Sequence, residues 1–220
     1  MGLQVIKESE TKYNPVFLSI LEDVVGGVTI STTRIPSTTK FLFPGTPLAA
    51  SASSVGLYNI VKTAKLKCAI DTAACVTCYV YSSTLPNAPG QNFKVGEWVM
   101  LDGGGSACTI ASITIGTKTN GVGTDTIVFT AGGGGFNYAS VATGTLIVEA
   151  ANDVTTLADA KFDADCILRD AVRVRLESGY TLQNVTAAAV VRGTIDESIS
   201  SCAYPSDGVK TPITARMRFA

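Results

Sequence analysis

The stretch Ala171-Val172-Arg173-Val174-Arg175-Leu176-Glu177 alternates apolar and charged side chains with a period of two. Successive side chains of a β-strand point to opposite faces of a sheet, so this spacing predicts a strand. The two valines and the leucine are expected to face a core, while the two arginines face solvent or a partner. This stretch decides the fold class, because the same logic recurs along the chain.

Further segments share this β-branched, alternating character, which favours strands. They lie at residues 28–33, 57–62, 126–130, 144–149 and 216–219. Glycine is abundant between residues 90 and 144, with clusters at 103–105 and 132–135. Glycine supplies the positive φ that tight turns need, so this region predicts a small barrel with tight corners. The chain is therefore predicted to be all-β.

One segment near the start has a different spacing. Asn14-Pro15 is typical of a helix N-terminus, and Gly26-Gly27 is typical of a helix end. The apolar side chains between them share one helical face, and they are Val16, Phe17, Ile20, Leu21 and Val24. We expect a short N-terminal helix that covers one end of the core, or alternatively an N-terminal arm that docks on a neighbouring subunit.

The composition bounds the chemistry of the chain. Among its 220 residues there is no histidine, which excludes Ser/His/Asp and Cys/His catalysis. Asp102, Asp125 and Asp153 could be proposed as paired carboxylates, but each lies beside a turn signal, where aspartate bonds locally. We predict that the protein is not an enzyme and has no catalytic, cofactor or metal site.

Charge and hydropathy indicate which partners to expect. The net charge of −1 gives no electrostatic footprint for nucleic acid. Charged residues make up 16% against roughly 25% in typical soluble proteins, and 46% of residues are hydrophobic. Such a surface suits a protein that is covered by copies of itself or by a larger partner. No stretch is predicted to span a membrane or to act as a signal peptide, so synthesis in the cytoplasm is expected.

Six cysteines are spread thinly, and they are Cys68, Cys75, Cys78, Cys108, Cys166 and Cys202. In the cytoplasm they are expected to be reduced, and a reduced cysteine behaves as a small buried hydrophobe. Cys75-Val76-Thr77-Cys78 has the CxxC spacing, but no second CxxC and no histidine complete a zinc site. Core positions are favoured, with a disulfide or a metal ligand as the alternatives.

The C-terminal part of the chain carries a resemblance. An apolar strand runs into Arg192-Gly193-Thr194-Ile195-Asp196, Tyr204-Pro205 follows, and the chain closes with Arg216-Met217-Arg218-Phe219. This order resembles the end of tailed-bacteriophage head fiber and capsid decoration proteins. Gly45-Thr46-Pro47-Leu48 and Ile167-Leu168-Arg169-Asp170 are similar to two further segments of that family.

A second resemblance covers roughly residues 76–150. Phe93-Lys94-Val95-Gly96-Glu97 looks like the first strand of small β modules that are inserted in phage head proteins. The predicted organisation is a discontinuous body, residues 1–75 and 151–220, for capsid attachment and oligomerisation, interrupted by a small β domain at 76–150. The predicted body is a β-sandwich or resembles a β-tulip, and the insert is a glycine-rich β-barrel.

The resemblance implies a structural virion protein on the outer surface of a phage capsid. Its implied partners are the major capsid protein and copies of itself, most often as a homotrimer. The alternative is a carbohydrate- or host-surface-binding module, adhesin-like, displayed by the particle. Aromatic faces for sugar stacking would come from Tyr79, Tyr81, Trp98, Phe136 and Tyr138. For Trp98, an anchor of the insert's own small core is the favoured interpretation, since it lies in an alternating strand.

Overall fold

The structure is a computed structural model that describes residues 16–70, 77–81, 91–103, 106–116, 123–130, 141–152, 158–176, 182–197, 200 and 202–220. Within these residues the chain forms strands, a π-type helical turn at Ser206–Lys210 and the short α-helix that follows it, which confirms the all-β prediction. The elements are β1 (Phe17–Asp23), β2 (Val28–Ile30), β3 (Phe41–Leu42), β4 (Pro47–Ala50), β5 (Leu57–Ile60), β6 (Thr63–Lys65), β7 (Thr77–Tyr81), β8 (Trp98–Leu101), β9 (Cys108–Thr114), β10 (Thr124–Phe129), β11 (Leu146–Glu149), β12 (Cys166–Leu168), β13 (Val172–Arg173), β14 (Val185–Ala187), β15 (Ala189–Ile195), α1 (Thr211–Ile213) and β16 (Met217–Phe219).

The first sheet has the strand order β1-β15-β12-β4-β5-β2-β14, with β16 also beside β15. Its neighbours are antiparallel except for the pairs β2–β5 and β15–β16. The sheet unites the C-terminal and body segments that carry the resemblance. Leu48 of β4 lies opposite Cys166, Ile167 lies opposite Val190, and Gly193 lies opposite Met217.

Both faces of this sheet are buried, because alternate residues enter two different clusters. One face carries Leu48, Ile60, Cys166, Leu168 and Ala189, and the other carries Ala49, Val61, Ile167 and Val190. The β3–β13 pair covers the first face through Leu42, together with Val174, which directly follows β13. The second face packs against Met100, Val148 and Ile213, which come from the other sheet and from α1.

The second sheet, β6-β11-β8-β9-β10-β7, closes on itself. A bridge pairs Leu66 with Val80, and the Lys67 N–H donates to the Tyr79 carbonyl at 2.9 Å. The small β-barrel of the prediction is therefore present. Its interior is filled by apolar side chains, including Leu66, Val80, Phe93, Val99, Leu101, Ile110, Ile127, Phe129 and Ile147. This barrel begins at Thr63, before the predicted boundary at 76, and the division into domains stays a prediction.

The predicted N-terminal helix is wrong for the described part of its segment. Residues Phe17–Asp23 form strand β1, which pairs with β15, and Asn14 and Pro15 lie outside the described residues. An isolated helix of this length is marginal, and its β-branched and aromatic residues favour an extended backbone. Pairing with a seven-residue strand supplies backbone hydrogen bonds that outweigh the helical spacing. The single-turn helix α1 lies near the other end of the chain.

The strand predicted for residues 171–177 is confirmed only in part. Val174 is buried, but Leu176 is exposed rather than in the core. The reason is that β13 ends at Arg173, so the alternation no longer sets the direction of Leu176. Among the described residues, no helix has the length and apolar character needed to cross a membrane.

Candidate binding surfaces

The carboxylates that the sequence offered as catalytic candidates hold backbone loops. Asp102 Oδ1 accepts the Asp207 N–H at 3.1 Å, and Asp207 Oδ2 accepts the Gly103 N–H at 3.0 Å. Asp125 is fully buried and accepts the Gly116 N–H at 3.2 Å. Asp153 lies outside the described residues. The bonds between Asp102 and the segment of Asp207 join parts of the chain more than 100 residues apart, and the Asp125 bond spans nine residues. They are therefore not the local turn bonds that the sequence predicted for these aspartates.

Three of the five described cysteines are buried, whereas Cys202 is partly exposed and Cys68 is exposed, so the predicted core position is wrong for Cys68. Cys78 and Cys108 belong to the barrel interior, and Cys166 belongs to the body core, where burial beside Asp165 raises the pKa of its thiol to about 12. Cys75, the first cysteine of the CxxC spacing, lies outside the described residues. The part of the chain that the structure describes contains no group of three side chains able to hold a metal ion.

A cluster of five charged residues joins the barrel to the body. Lys62 donates to Glu97, Arg34 donates to Glu149, and Lys161 Nζ lies 3.0 Å from Glu149 Oε1. The side chains of Lys62 and Glu149 are 0% and 1% exposed. Burial lowers the pKa of Lys62, while its hydrogen bond to Glu97 acts in the opposite direction. We call these residues the ion cluster.

The ion cluster fixes the junction rather than forming an open site. Arg34 also stacks over the Phe162 ring, with 4.5 Å from its guanidinium carbon to the ring centroid. Each charge lies beside an opposite charge, and for the buried Lys62 and Glu149 the removal of a partner is strongly destabilising. The sequence did not reveal this cluster, because its members come from five separate segments and form no motif.

Strand β1 forms the first open surface. It ends the strand order of its sheet, and β15 is its partner within the described residues. Leu18 and Leu21 are 61% and 70% exposed, and Ile20 and Val25 are also exposed. We call these four residues and the outer edge of β1 the edge surface. An exposed apolar edge strand is a template for pairing with another chain.

Two tyrosines form the second open surface. Tyr79 and Tyr81 lie two residues apart on β7, so both project from the outside of the barrel, and both are exposed. Trp98 does not accompany them, because it packs against the core shared by barrel and body. The interpretation favoured from the sequence, in which Trp98 anchors the barrel's own interior, is therefore wrong. Phe136 and Tyr138 lie outside the described residues.

The third surface is a groove of about 520 Å³ between the body and the barrel. Its described lining is Thr32, Thr33, Ile35, Pro36, Ser37, Thr38, Gln91, Phe93, Lys94, Val95, Ile113, Ile115 and Arg175. The lining includes two cations and no acidic residue. The sequence did not predict it, because its walls are loops that are distant along the chain.

Together these features define an all-β protein with a closed barrel docked on a doubly covered sheet. No family model matches the chain, and no curated protein and no solved structure gives a match.

Proposed function

We propose that the chain is a structural virion protein, a head fiber or decoration protein bound to the outer surface of a phage capsid. The observation that carries the proposal is the edge surface, where Leu18 and Leu21 are exposed on a strand at the end of its sheet. Contact between these apolar side chains and water is unfavourable, so covering them with a partner lowers the free energy of the complex. The motif resemblance and the low charge content support the same role.

The edge surface suits attachment by strand addition. The outer backbone N–H and C=O groups of β1 can pair with an extended segment of the major capsid protein, and the leucines can fill apolar pockets on it. We propose a homotrimer as the attaching unit, since several weak contacts made together bind far more tightly than one. The protein would then be made in the host cytoplasm and reside on the capsid surface.

The test is sedimentation with empty capsids. Leu18→Asp and Leu21→Asp together should abolish pelleting with shells, because two charges would replace the apolar contact. Val55→Asp is the matched control, since Val55 is an exposed apolar residue that lies in the turn before β5, away from β1. Pelleting that survives the double substitution, or that the control removes equally, contradicts attachment through the edge surface.

The mass in solution tests the oligomer. Light scattering of the purified protein should give about three times the chain mass of 22.8 kDa. A stable monomer at micromolar concentration that also fails to pellet with shells would contradict the decoration role.

A second candidate function is binding of a host-surface carbohydrate by the particle. The observation in its favour is the exposed pair Tyr79 and Tyr81, whose rings lie on one face of the barrel. Aromatic rings with a polar tip suit contact with sugars, which have both apolar and polar faces. Binding on a glycan array that is lost in Tyr79→Ala with Tyr81→Ala would support this candidate, and an array without binding would contradict it.

A further inference from the structure

We propose that the groove between the body and the barrel binds an acidic carbohydrate. This inference goes beyond shell attachment and uses a surface that does not include β1. The groove is walled by the loop after β2 on one side and by residues 91–95, Ile113 and Ile115 on the other, with Arg175 also in its lining.

Lys94 supplies an ammonium group with N–H donors that can bind a ligand. Its Nζ donates to the Thr33 carbonyl at 2.6 Å, and it forms no ion pair within the described part of the chain. An ammonium group has three N–H donors, so two remain for a ligand. The carbonyl bond holds the side chain across the groove, and little conformational freedom is then lost when a ligand binds.

Arg175 approaches the same loop. Its Nη2 lies 3.5 Å from the Pro36 carbonyl, while Lys94 is bound to the Thr33 carbonyl. Thr33 and Pro36 are three residues apart, a separation that spans at most about 11 Å. Both cations therefore lie against one short loop that walls the groove. Arg175 adds positive charge at this wall of the groove, and the Lys94 ammonium supplies the donors for the ligand.

The remaining lining suits the rest of a sugar. Ser37 and Thr38 are exposed and offer hydroxyl groups that can both donate and accept. Gln91 Oε1 accepts the Phe93 N–H at 2.6 Å, which fixes the amide and leaves its NH2 group as a donor. Val95 and Ile115 are exposed beside these polar groups and provide an apolar patch for the C–H face of a ring.

Carbohydrate is favoured over an acidic peptide by this mixture. Beside the two cations, the described lining offers the exposed hydroxyl groups of Ser37 and Thr38 and the Gln91 amide, which suit a polyhydroxylated ligand. A neutral sugar has no negative charge to pair with the Lys94 ammonium, so it should bind more weakly.

Calorimetry with oligogalacturonate, the matching neutral galactose oligomer and a glutamate peptide tests the proposal. The full chain should bind oligogalacturonate best, and binding should weaken with added salt. Lys94→Gln should weaken it by about tenfold or more, the worth of one hydrogen bond to a charged group. Lys65→Gln is the matched control, because Lys65 is exposed on β6 and does not line the groove, and it should bind like the native chain.

The outcomes are distinct from those of shell attachment. Leu18→Asp with Leu21→Asp should leave oligogalacturonate binding unchanged, whereas Lys94→Gln should leave pelleting with capsids unchanged. Equal binding of the neutral oligomer, preference for the peptide, absence of binding, or undiminished binding by the Lys94→Gln chain with a native thermal midpoint would each overturn the proposal.

Discussion

Gly45 lies where two segments that are distant along the chain pack closely against each other. Its φ is +92°, and a Cβ there would lie 2.5 Å from Tyr204 Oη and 2.7 Å from Ser200 Oγ. The Tyr204 hydroxyl donates to the Gly45 carbonyl at 2.9 Å, and Tyr204 is buried. The glycine of the Gly-Thr-Pro-Leu segment thus has a physical reason, because no other residue leaves room for this tyrosine.

Gly45→Ala should lower the free energy of unfolding by about 2–4 kcal/mol. Left-handed strain contributes roughly 1–2 kcal/mol, and the displaced buried hydroxyl contributes the rest. Gly56→Ala is the control, since Gly56 has φ +76° but nothing within 4 Å of a Cβ, so only the strain should appear. Chemical denaturation measures both, and equal losses would contradict the role of Tyr204.

Cys166 makes stability depend on pH in the alkaline range. Its pKa is about 12 in the folded protein against 9.0 for a free thiol, so its stabilising contribution is complete below pH 9. The contribution is lost as pH rises from 9 towards 12, because the unfolded chain releases the proton first. At pH 11 the native chain should have lost about 3 kcal/mol more than Cys166→Ala, relative to pH 8.

The comparison isolates the thiol, since burial also raises the pKa of Tyr204 and that effect is common to both chains. Cys68→Ala, a change at an exposed cysteine, is the control for the loss of a thiol as such. Denaturation curves at pH 8 and pH 11 give the measurement. Parallel losses in the native chain and in Cys166→Ala would show that Cys166 does not contribute.

At the scale of elements, Gly193 determines how β1 joins the sheet. A Cβ at Gly193 would lie 2.5 Å from the Ser19 carbonyl oxygen, and the β1–β15 register shifts on either side of Ile20. The glycine in Arg-Gly-Thr-Ile-Asp therefore permits close approach of an irregular edge strand. A side chain there should push β1 away from β15.

Gly193→Val should detach β1 and leave the rest of the sheet folded. Amide exchange of residues 17–23 should become at least about tenfold faster, because local opening of an edge element needs little free energy. Arg192→Ala, a change at an exposed neighbour on β15, should leave that exchange rate unchanged. Exchange rates that rise over all strands alike would instead indicate global destabilisation.

Local sequence patterns predicted the strands whose own residues favour an extended backbone. The strands β2, β5, β10, β11, β15 and β16 follow from β-branched or alternating residues. Strand β1 did not, because its apolar spacing also fits a helix and its partner β15 lies about 170 residues away along the chain. The sequence pointed to Tyr79 and Tyr81 as candidate contacts for a sugar, and both are exposed. The ion cluster and the groove were not predicted, because they depend on loops brought together only by folding.

At the scale of the whole molecule, the barrel and the body share a core. Met100, Ala107 and Val148 of the barrel side lie in one cluster with Ile167, Val190 and other body residues, and Trp98 packs against it. The ion cluster crosses the same junction, with Lys62 buried against Glu97. A body that is merely interrupted by an insert, as the sequence predicted, would stay folded if residues 80–148 were replaced by a Gly/Ser linker. The shared core leads us to expect the opposite.

The shortened chain should fail to fold cooperatively. Removing Trp98, Met100 and Val148 exposes the body face that they cover, and each large apolar side chain contributes about 1.5–3 kcal/mol when buried. Their sum approaches the total stability of a typical domain, about 5–15 kcal/mol. Circular dichroism of the shortened chain should show no sharp thermal transition, and a hydrophobic dye should bind it, while the full chain melts once and binds little dye. A sharp transition without dye binding would mean that the body has a sufficient core of its own, and that residues 76–150 are an independent insertion after all.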